Sequence, residues 1–372
     1  MTRTETDIGP YLIEHYPGGD VLWITFDHAG LPKHAAESRT GWAVHELAKH
    51  GWEVLSVKAR RADWFLQPEM AAYFRSARFR RIARGKRRVI LYGLSMGGFA
   101  ALGYSTLIPG SVALAISPQT TLHPDKVPWE KRFDYALGED WAGPFADVAE
   151  LRPAHAEAYV IYSPLNKFDG PHVDRIAGFE PLTLLPLIGN AHVPGGMLRE
   201  SGLLKQVVAA VARGPLKPKA FEAMCAGLED SAAFHYYTAQ QATDAYTRDT
   251  EILRCLELAS DFRRDFYVQR CASLRMGAAA RERNRAAVTE SLELLRYCSA
   301  WESSIKLKIT ALRFLVRVED HATAALVLDE IGQAHPEGHP KLPDLAGRVA
   351  RLAALENAAL APADTPAKVA HG

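Results

Sequence analysis

The chain has 372 residues, of which 48% are hydrophobic and 23% charged, a composition typical of a globular protein and not of a disordered one. Lys and Arg together number 44 and Asp and Glu 43, so the net charge of +1 argues against a protein built mainly to bind nucleic acid or an anionic membrane. The sequence has no run of about 18 apolar residues and no apolar segment behind its polar N-terminus. We therefore expect a cytoplasmic protein without a membrane span, with one large domain or two ordinary ones.

Apolar runs alternate with helical patterns through the first half of the chain. Strands are predicted at residues 11–16, 21–26, 52–57, 89–92, 112–116, 158–163 and 182–188. Helices are predicted at residues 41–50, 70–84, 99–107 and 203–212. This alternation predicts an α/β fold, with a mostly parallel, doubly wound sheet covered by helices on both faces.

Residues 118–156 interrupt this alternation of strands and helices, because they are rich in Pro, Asp and Trp and contain no clear strand pattern. Two interpretations are open. The segment is either a short cap beside a functional site or an ordinary surface excursion.

From about residue 216 the chain contains Ala, Leu, Arg and Glu at helical spacing and no strand pattern. We expect roughly six to eight helices between residues 217 and 360, paired as in tetratricopeptide-like arrays, although no clean 34-residue repeat is found. The predicted organisation is an α/β domain at 1–213, an all-α helical domain at 214–360 and a disordered tail at 361–372. The four cysteines lie in this second half without Cys-x-x-Cys spacing, which indicates buried free thiols.

A short glycine-rich motif lies between the strand predicted at 89–92 and the helix predicted at 99–107. Its sequence is Gly93-Leu-Ser95-Met-Gly97-Gly98. This pattern predicts a sharp turn with Ser95 at the apex and small flanking residues, because the strand and the helix approach each other closely. The alternative is a tight glycine turn of another α/β fold, in which Ser95 only caps the helix.

The pattern Gly93-x-Ser95-x-Gly97 resembles the nucleophile elbow of α/β-hydrolases. Residues 11–213 resemble that superfamily as a whole, and the Ser-Met-Gly-Gly run is most similar to its esterase and acyltransferase members. The resemblance implies a covalent acyl-serine intermediate, with no metal and no cofactor. It implies no particular substrate, because this fold hosts many reactions.

A serine nucleophile needs a base to accept its proton and a carboxylate to orient that base. In the superfamily the acid and the base follow the serine in chain order, each after a successive strand. Asp169 follows the strand predicted at 158–163, and His192 follows the strand predicted at 182–188. The resemblance therefore implies Asp169 as the acid and His192 as the base.

Each of these assignments has an alternative. Asp169 is otherwise a turn residue that caps a helix, with Asp174 as the acid. His192 is otherwise a solvated loop residue. His172, close to Asp169 in the chain, is a weaker candidate for the base.

The resemblance also implies two backbone N–H groups that stabilise an oxyanion. The first is that of Met96, next to the serine, and the second is expected in the loop after the strand at 21–26, where we choose His28. This loop differs from the His-Gly-Gly-Gly type found in lipases. Asp27 is expected to point away and order the loop, and a metal site made by Asp27, His28 and His34 is the remaining alternative.

Polar residues follow the strand predicted at 52–57, also at a carboxyl end. Arg61, Asp63 and Trp64 are candidates to line a pocket and bind a polar or sugar-like group. Arg132, in the predicted cap, is a similar candidate.

A basic stretch precedes the strand at 89–92. It contains Arg75, Arg78, Arg80, Arg81, Arg84, Lys86, Arg87 and Arg88. Such a stretch is usually the solvated outer face of a helix that covers the sheet. The alternative is a docking site for an anionic partner or substrate.

We therefore expect a serine hydrolase that cleaves an ester or thioester of a small molecule or of an acylated sugar or glycan. Transfer of the acyl group to a hydroxyl is the close variant, and only exclusion of water from the pocket separates the two reactions. A hypothesis of another class is a non-catalytic scaffold, whose helical domain binds a protein partner or mediates self-association.

Overall fold

The computed structural model describes residues 3–151, 157–187 and 194–360, so the tail at 361–372 lies outside the described residues. The chain divides into two compact units, Met1–Gln241 and Ala242–Gly372. Within the described part of the chain, no helix is both long and apolar enough to cross a membrane.

One eight-stranded sheet forms the centre of the first unit, with the order β1-β2-β4-β3-β5-β6-β7-β8. The strands are β1 Thr4–Asp7, β2 Tyr11–Tyr16, β3 Val21–Phe26, β4 Glu53–Ala59, β5 Arg88–Leu94, β6 Val112–Ile116, β7 Glu157–Tyr162 and β8 Leu182–Pro186. The pairs β1–β2 and β2–β4 are antiparallel, and all other neighbours are parallel. Strands β3, β4 and β6 are buried at every position, as expected of strands covered on both faces.

Nine α-helices belong to the described part of this first unit. They are α1 Val44–Ala48, α2 Pro68–Arg75, α3 Ala77–Ala83, α4 Met96–Ser105, α5 Asp169–Asp174, α6 Pro194–Glu200, α7 Leu203–Arg213, α8 Pro218–Cys225 and α9 Ala232–Gln241. Helices α8 and α9 fall in the range that the sequence analysis grouped with the helical domain, and here they are part of the compact unit that ends at Gln241.

Two local predictions differ from the structure. The single helix predicted at 70–84 is two helices, because Ser76 is extended and its hydroxyl caps α3 by accepting a hydrogen bond from the Phe79 N–H at 3.1 Å. The polar strand β1 was not predicted. It lies at the sheet edge, where backbone pairing with β2 forms the strand without an apolar pattern.

Residues 118–151 form a segment without strands, with two short 3-10 turns at Asp134–Ala136 and Val148–Glu150. Its aromatic rings pack on the sheet unit. Phe133 and Trp141 contact Trp64, with ring centroids 5.0 and 6.2 Å apart, and Trp141 also contacts Phe99 of α4. We refer to residues 118–151 as the cap segment.

The second unit is entirely helical in its described residues. Its helices are α10 Ala245–Leu258, α11 Asp261–Arg281, α12 Arg285–Arg296, α13 Ser299–Ser303, α14 Ile305–Arg317, α15 His321–Ala334 and α16 Leu342–Leu360. Residues such as Met276, Leu292, Leu312 and Val327 form one buried core. The predicted fold class is confirmed, since a mostly parallel doubly wound sheet is followed by an all-α region.

Candidate active site

Ser95 occupies a strained turn between the end of β5 and the start of α4. Its backbone has φ 54° and ψ −117°, a conformation that L residues other than glycine rarely adopt. The surrounding backbone holds this turn, because the Ser95 N–H donates to the Ile116 carbonyl at 2.8 Å and the Ser95 carbonyl accepts from the Phe99 N–H at 3.0 Å.

Two glycines let the turn close this tightly. A Cβ on Gly93 would lie 2.1 Å from the Gly97 backbone, and a Cβ on Gly97 would lie 2.6 Å from the Phe26 carbonyl oxygen. Both contacts are with backbone atoms, which cannot rotate away. The glycines are therefore required by the close approach of α4 to β5 and β3.

The Ser95 hydroxyl lies within hydrogen-bond distance of Gln119, a residue that the sequence analysis missed. Ser95 Oγ donates to Gln119 Oε1 at 3.2 Å, and Trp64 Nε1 donates to the same oxygen at 3.2 Å. An indole N–H can only donate, so it orients the amide with its oxygen toward Ser95. Gln119 follows β6, the neighbour of β5. This position at the carboxyl end of a strand is the one feature of the sequence that could have indicated Gln119 as a site residue.

Ser95 opens onto a cavity of about 620 Å³ at the carboxyl edge of the sheet. The cavity is lined by His28, Ala29, Gly30, Pro32, Lys33, Arg60, Arg61, Ala62, Leu94, Ser95, Phe133 and Tyr135. Two of the predicted site residues, His28 and Arg61, therefore share a cavity with the serine. The ring of Tyr135 is 63% exposed, which puts the cavity in contact with solvent.

Asp169 is fully buried at the first position of α5 and interacts with the cap segment. Arg132 Nη1 lies 2.9 Å from Asp169 Oδ1, and Arg132 Nε donates to Glu130 Oε1 at 2.9 Å. The guanidinium also packs between the rings of Phe133 and Phe168, at 5.2 and 4.7 Å from their centroids. Arg132 is therefore a cation held between two carboxylates, and not one of the residues that line the cavity.

Glu130, which no sequence pattern indicated, completes this buried cluster. Burial opposes its ionisation, but hydrogen bonds from Arg132 and His172 outweigh burial and hold the pKa of Glu130 at about 2. Arg132 is a near neighbour of Glu130 in the chain, but His172 is 42 residues away, so only folding brings His172 to Glu130.

Both ring nitrogens of His172 are occupied. Its Nδ1 accepts from the Thr120 N–H at 3.2 Å, and its Nε2 lies 3.3 Å from Glu130 Oε2. Burial lowers the pKa of His172, so the neutral ring carries its proton on Nε2 and donates it to Glu130. This arrangement makes His172 a structural link between α5 and the cap segment.

Asp27 orders the loop after β3. Arg39 contacts both carboxylate oxygens, and the Ala59 N–H donates to Oδ2 at 2.9 Å. The Asp27 side chain is thus bound to β4, as expected of a residue that points away from the site.

Among the described residues, no cluster of three or more His, Cys, Asp or Glu side chains could hold a metal ion.

The ring of His28 lines the cavity and is neutral at ordinary pH. Burial, followed by the nearby Arg39 and Arg199 charges, lowers its pKa. The Gly30 N–H donates to His28 Nδ1 at 3.2 Å, which leaves the ring proton on Nε2. His28 therefore offers the cavity a neutral N–H donor in addition to its backbone.

The remaining predicted binding residues have different surroundings. Asp63 is buried behind the cavity wall, where it accepts from Tyr11 Oη at 3.0 Å and from the Phe65 N–H at 2.9 Å. Trp64 is also fully buried and supports Gln119. Arg61 is half exposed, lines the cavity and makes a two-pronged ion pair with Glu139.

Met96 is the first residue of α4, so its N–H is one of the helix N-terminal N–H groups that have no intrahelical acceptor.

His192, the predicted base, lies in the range 188–193, outside the described residues. Its relation to Ser95 and Asp169 stays a prediction.

Neither a protein-family model nor a curated protein matches the sequence. Comparison with solved structures matches a capsule O-acetyltransferase of Neisseria meningitidis serogroup A at 13% identity and TM-score 0.38, over 55% of this chain and 93% of that one. It also matches an S-formylglutathione hydrolase from Staphylococcus aureus at 8% identity and TM-score 0.39, over 57% and 98% of the two chains. An esterase domain from Rhodothermus marinus matches at 13% identity and TM-score 0.36, over 57% and 98%. These likenesses are weak, and none assigns a substrate to this chain.

Proposed function

We propose, from the premise that residues 1–241 have the α/β-hydrolase fold, that this chain is a serine hydrolase acting on an ester or thioester. The main observation behind the proposal is the strained backbone of Ser95, a residue that lines the cavity. A non-glycine residue in such a conformation costs about 1–3 kcal/mol and persists where the surrounding structure enforces it, most often at functional sites. We interpret the turn as a nucleophile elbow.

In the proposed reaction, Ser95 Oγ attacks the carbonyl carbon while its proton passes to the imidazole of His192, which Asp169 orients. The N–H groups of Met96 and His28 stabilise the resulting oxyanion. The C–O or C–S bond of the leaving group then breaks, and the leaving group takes the proton from the imidazolium. A water molecule hydrolyses the acyl-serine by the same steps, which regenerates the hydroxyl.

The contact with Gln119 gives the resting serine a defined partner. Because Ser95 Oγ donates to Gln119 Oε1, the amide of Gln119 helps to fix the position of the hydroxyl before it attacks. We propose that Gln119 holds the resting rotamer, with Trp64 fixing the amide.

The cavity favours a small polar ester over a long acyl chain. Aromatic side chains of Phe133 and Tyr135 form one wall, and Lys33 and Arg61 bring cationic groups to the lining. Aromatic faces beside polar donors suit an acylated sugar or a similar small molecule. Since exposed Tyr135 and Lys33 lie at its mouth, water has access to the acyl-serine, and we propose hydrolysis over acyl transfer.

A fluorophosphonate probe tests the proposal, because it reacts covalently with activated serines. We expect the folded wild type to be labelled, and we expect Ser95→Ala to lose both labelling and p-nitrophenyl acetate hydrolysis by at least about 1000-fold. Ser105→Ala is the matched control, since Ser105 lies at the other end of α4 and donates to the Leu102 carbonyl. Absence of labelling in folded wild type, or labelling retained in Ser95→Ala, overturns the proposal and favours a non-catalytic scaffold.

A further inference from the structure

The basic stretch before β5 divides into a paired half and an unpaired half. Lys86, Arg87 and Arg88 form ion pairs with Glu53, Asp20 and Glu157. The arginines of the other half have no carboxylate within ion-pair distance among the described residues. They are Arg75, Arg78, Arg80, Arg81 and Arg84, all of them exposed.

The sequence explains why these arginines have no local partner. Residues 70–124 contain no Asp or Glu at all. The carboxyl ends of α2, α3 and α4 carry partial negative charge, at roughly half a charge each, and the Arg75 carbonyl at the end of α2 accepts a hydrogen bond from Arg80 Nη1 at 2.5 Å. Together these helix ends offset about one to two of the five arginines, so roughly three to four positive charges stay uncompensated.

Four of these arginines line a groove of about 740 Å³, together with apolar side chains. The lining residues are Phe74, Arg75, Ala77, Phe79, Arg80, Arg81, Ala83, Arg84, Leu107, Ile108 and Pro109. We refer to this set as the arginine groove. Its lining contains no carboxylate, and its guanidinium groups stand beside an apolar floor.

The arginine groove is separate from the candidate active site. It lies where α3 leads into the start of β5 and where Pro109 leads into the start of β6, which is the amino edge of the sheet. Ser95 follows the opposite end of β5. The seven residues of that strand span about 23 Å, so a ligand in the groove does not contact the serine.

We propose that the arginine groove binds an acidic peptide segment of a partner protein. Guanidinium groups bind carboxylates in a two-pronged geometry, and several of them along one groove match a segment with repeated Asp or Glu. The apolar floor accommodates the apolar side chains between the acidic ones. At about 3.3 Å per residue, about three residues of an extended segment match the length of α3, which is about 10 Å.

Other polyanions fit this surface less well. A helix of seven residues is about 10 Å long, which corresponds to about three nucleotides of one strand, whereas a DNA-binding protein can contact about 6–10 phosphates. A membrane surface needs exposed apolar side chains that insert. None of the large hydrophobic side chains exposed in the described residues lies between 68 and 110, and Phe74 and Phe79 are each only 3% exposed.

Fluorescence anisotropy of a labelled ten-residue peptide of alternating Glu and Leu tests this proposal on the full-length chain. We expect saturable binding that weakens steeply as NaCl rises from 50 to 300 mM. The variant Arg80→Gln/Arg81→Gln/Arg84→Gln should weaken binding at least tenfold. The matched control, Lys49→Gln/Arg87→Gln/Lys205→Gln, removes the same charge from exposed, paired cations and should keep wild-type affinity.

Three outcomes overturn the proposal. In the first, the peptide fails to bind. In the second, both triple variants lose affinity equally, which indicates a non-specific charge effect. In the third, single-stranded dT20 or vesicles with 30% phosphatidylserine bind more tightly than the peptide, and this binding responds to the arginine variant. Thermal unfolding of each variant checks that the fold is retained. No activity is measured, so the result does not depend on the proposed hydrolase function.

Discussion

The two edges of the sheet use charge in opposite ways. At the carboxyl edge, buried charged groups meet fixed partners, as Asp169 does with Arg132 and Asp27 with Arg39. At the amino edge, exposed arginines of α3 meet no carboxylate in the described part of the chain, although Arg88 next to them is paired.

This difference follows from the cost of burial. An ionised group removed from water is tolerated only with a compensating charge and hydrogen bonds, so the buried charges at the carboxyl edge are paired with one another. An exposed guanidinium without a partner costs little, so the amino edge keeps its charges available for a partner from outside. The buried pairs at the carboxyl edge therefore position neighbouring elements, whereas the exposed arginines at the amino edge are those that we propose for contact with a partner.

The first variant tests how closely α4 packs against β3 at the carboxyl edge, and its main consequence is the loss of labelling. Gly97→Ala places a Cβ 2.6 Å from the Phe26 carbonyl oxygen, so α4 must move away from β3. We expect a loss of about 1–3 kcal/mol in the free energy of unfolding, together with loss of fluorophosphonate labelling. Urea unfolding and labelling measure both. Gly138→Ala, exposed with no atom near its Cβ, is the control and should change neither.

A second variant breaks the buried charge cluster. Arg132→Gln leaves Glu130 and Asp169 without their shared cation, and we expect a loss of about 3 kcal/mol in the free energy of unfolding. Arg87→Gln breaks an exposed pair with Asp20 and should cost less than about 1 kcal/mol in the same urea experiment. Equal losses in the two variants would contradict the distinction between buried and exposed pairs.

A third prediction concerns pH. Burial, opposed by hydrogen bonds from Phe65 and Tyr11, raises the pKa of Asp63 to about 6. Between about pH 4 and 6 the folded state therefore binds more protons at Asp63 than the unfolded state. The contribution of Asp63 to the free energy of unfolding consequently falls as pH rises. Asp63→Asn cannot ionise. We expect the unfolding free energy of the variant, relative to wild type, to increase by up to about 3 kcal/mol from pH 4 to 7. A difference that stays constant over this range would refute the prediction.

A fourth prediction, with a minor change in stability, compares an unpaired and a paired arginine at the amino edge. Arg81→Gln removes an unpaired cation and should change the free energy of unfolding by less than about 0.5 kcal/mol. Arg88→Gln removes a guanidinium that binds Glu157 with two hydrogen bonds, at 2.9 and 2.6 Å, and should cost about 1–2 kcal/mol. Thermal unfolding of both variants is the measurement. A larger loss in Arg81→Gln would show that this arginine has a structural role.

Much of the fold was predictable because its signals are local. The strands at Val21–Phe26 and Val112–Ile116 have the predicted limits, since their continuous apolar runs match strands buried on both faces. The strand and helix on either side of Ser95 also follow the predicted order. The break at Ser76 was not predicted, because a hydroxyl cap in a helical pattern has a weak signal.

The candidate site was predictable only in part. His28 and Arg61 share the cavity of Ser95, but Trp64 and Asp63 lie behind its wall. Gln119 carries no motif, and its role depends on the orientation that Trp64 imposes on its amide.

The layered architecture, the change to helices in the second half and the strained position of Ser95 follow from local sequence patterns. Apolar periodicity and glycine sterics act over a few residues, so these features can be read along the chain. The pairing of charges, in contrast, depends on how the elements pack in three dimensions. The partners of Arg132 and Arg88 are fixed by packing between elements, because Asp169 and Glu157 are distant in sequence and adjacent only after folding.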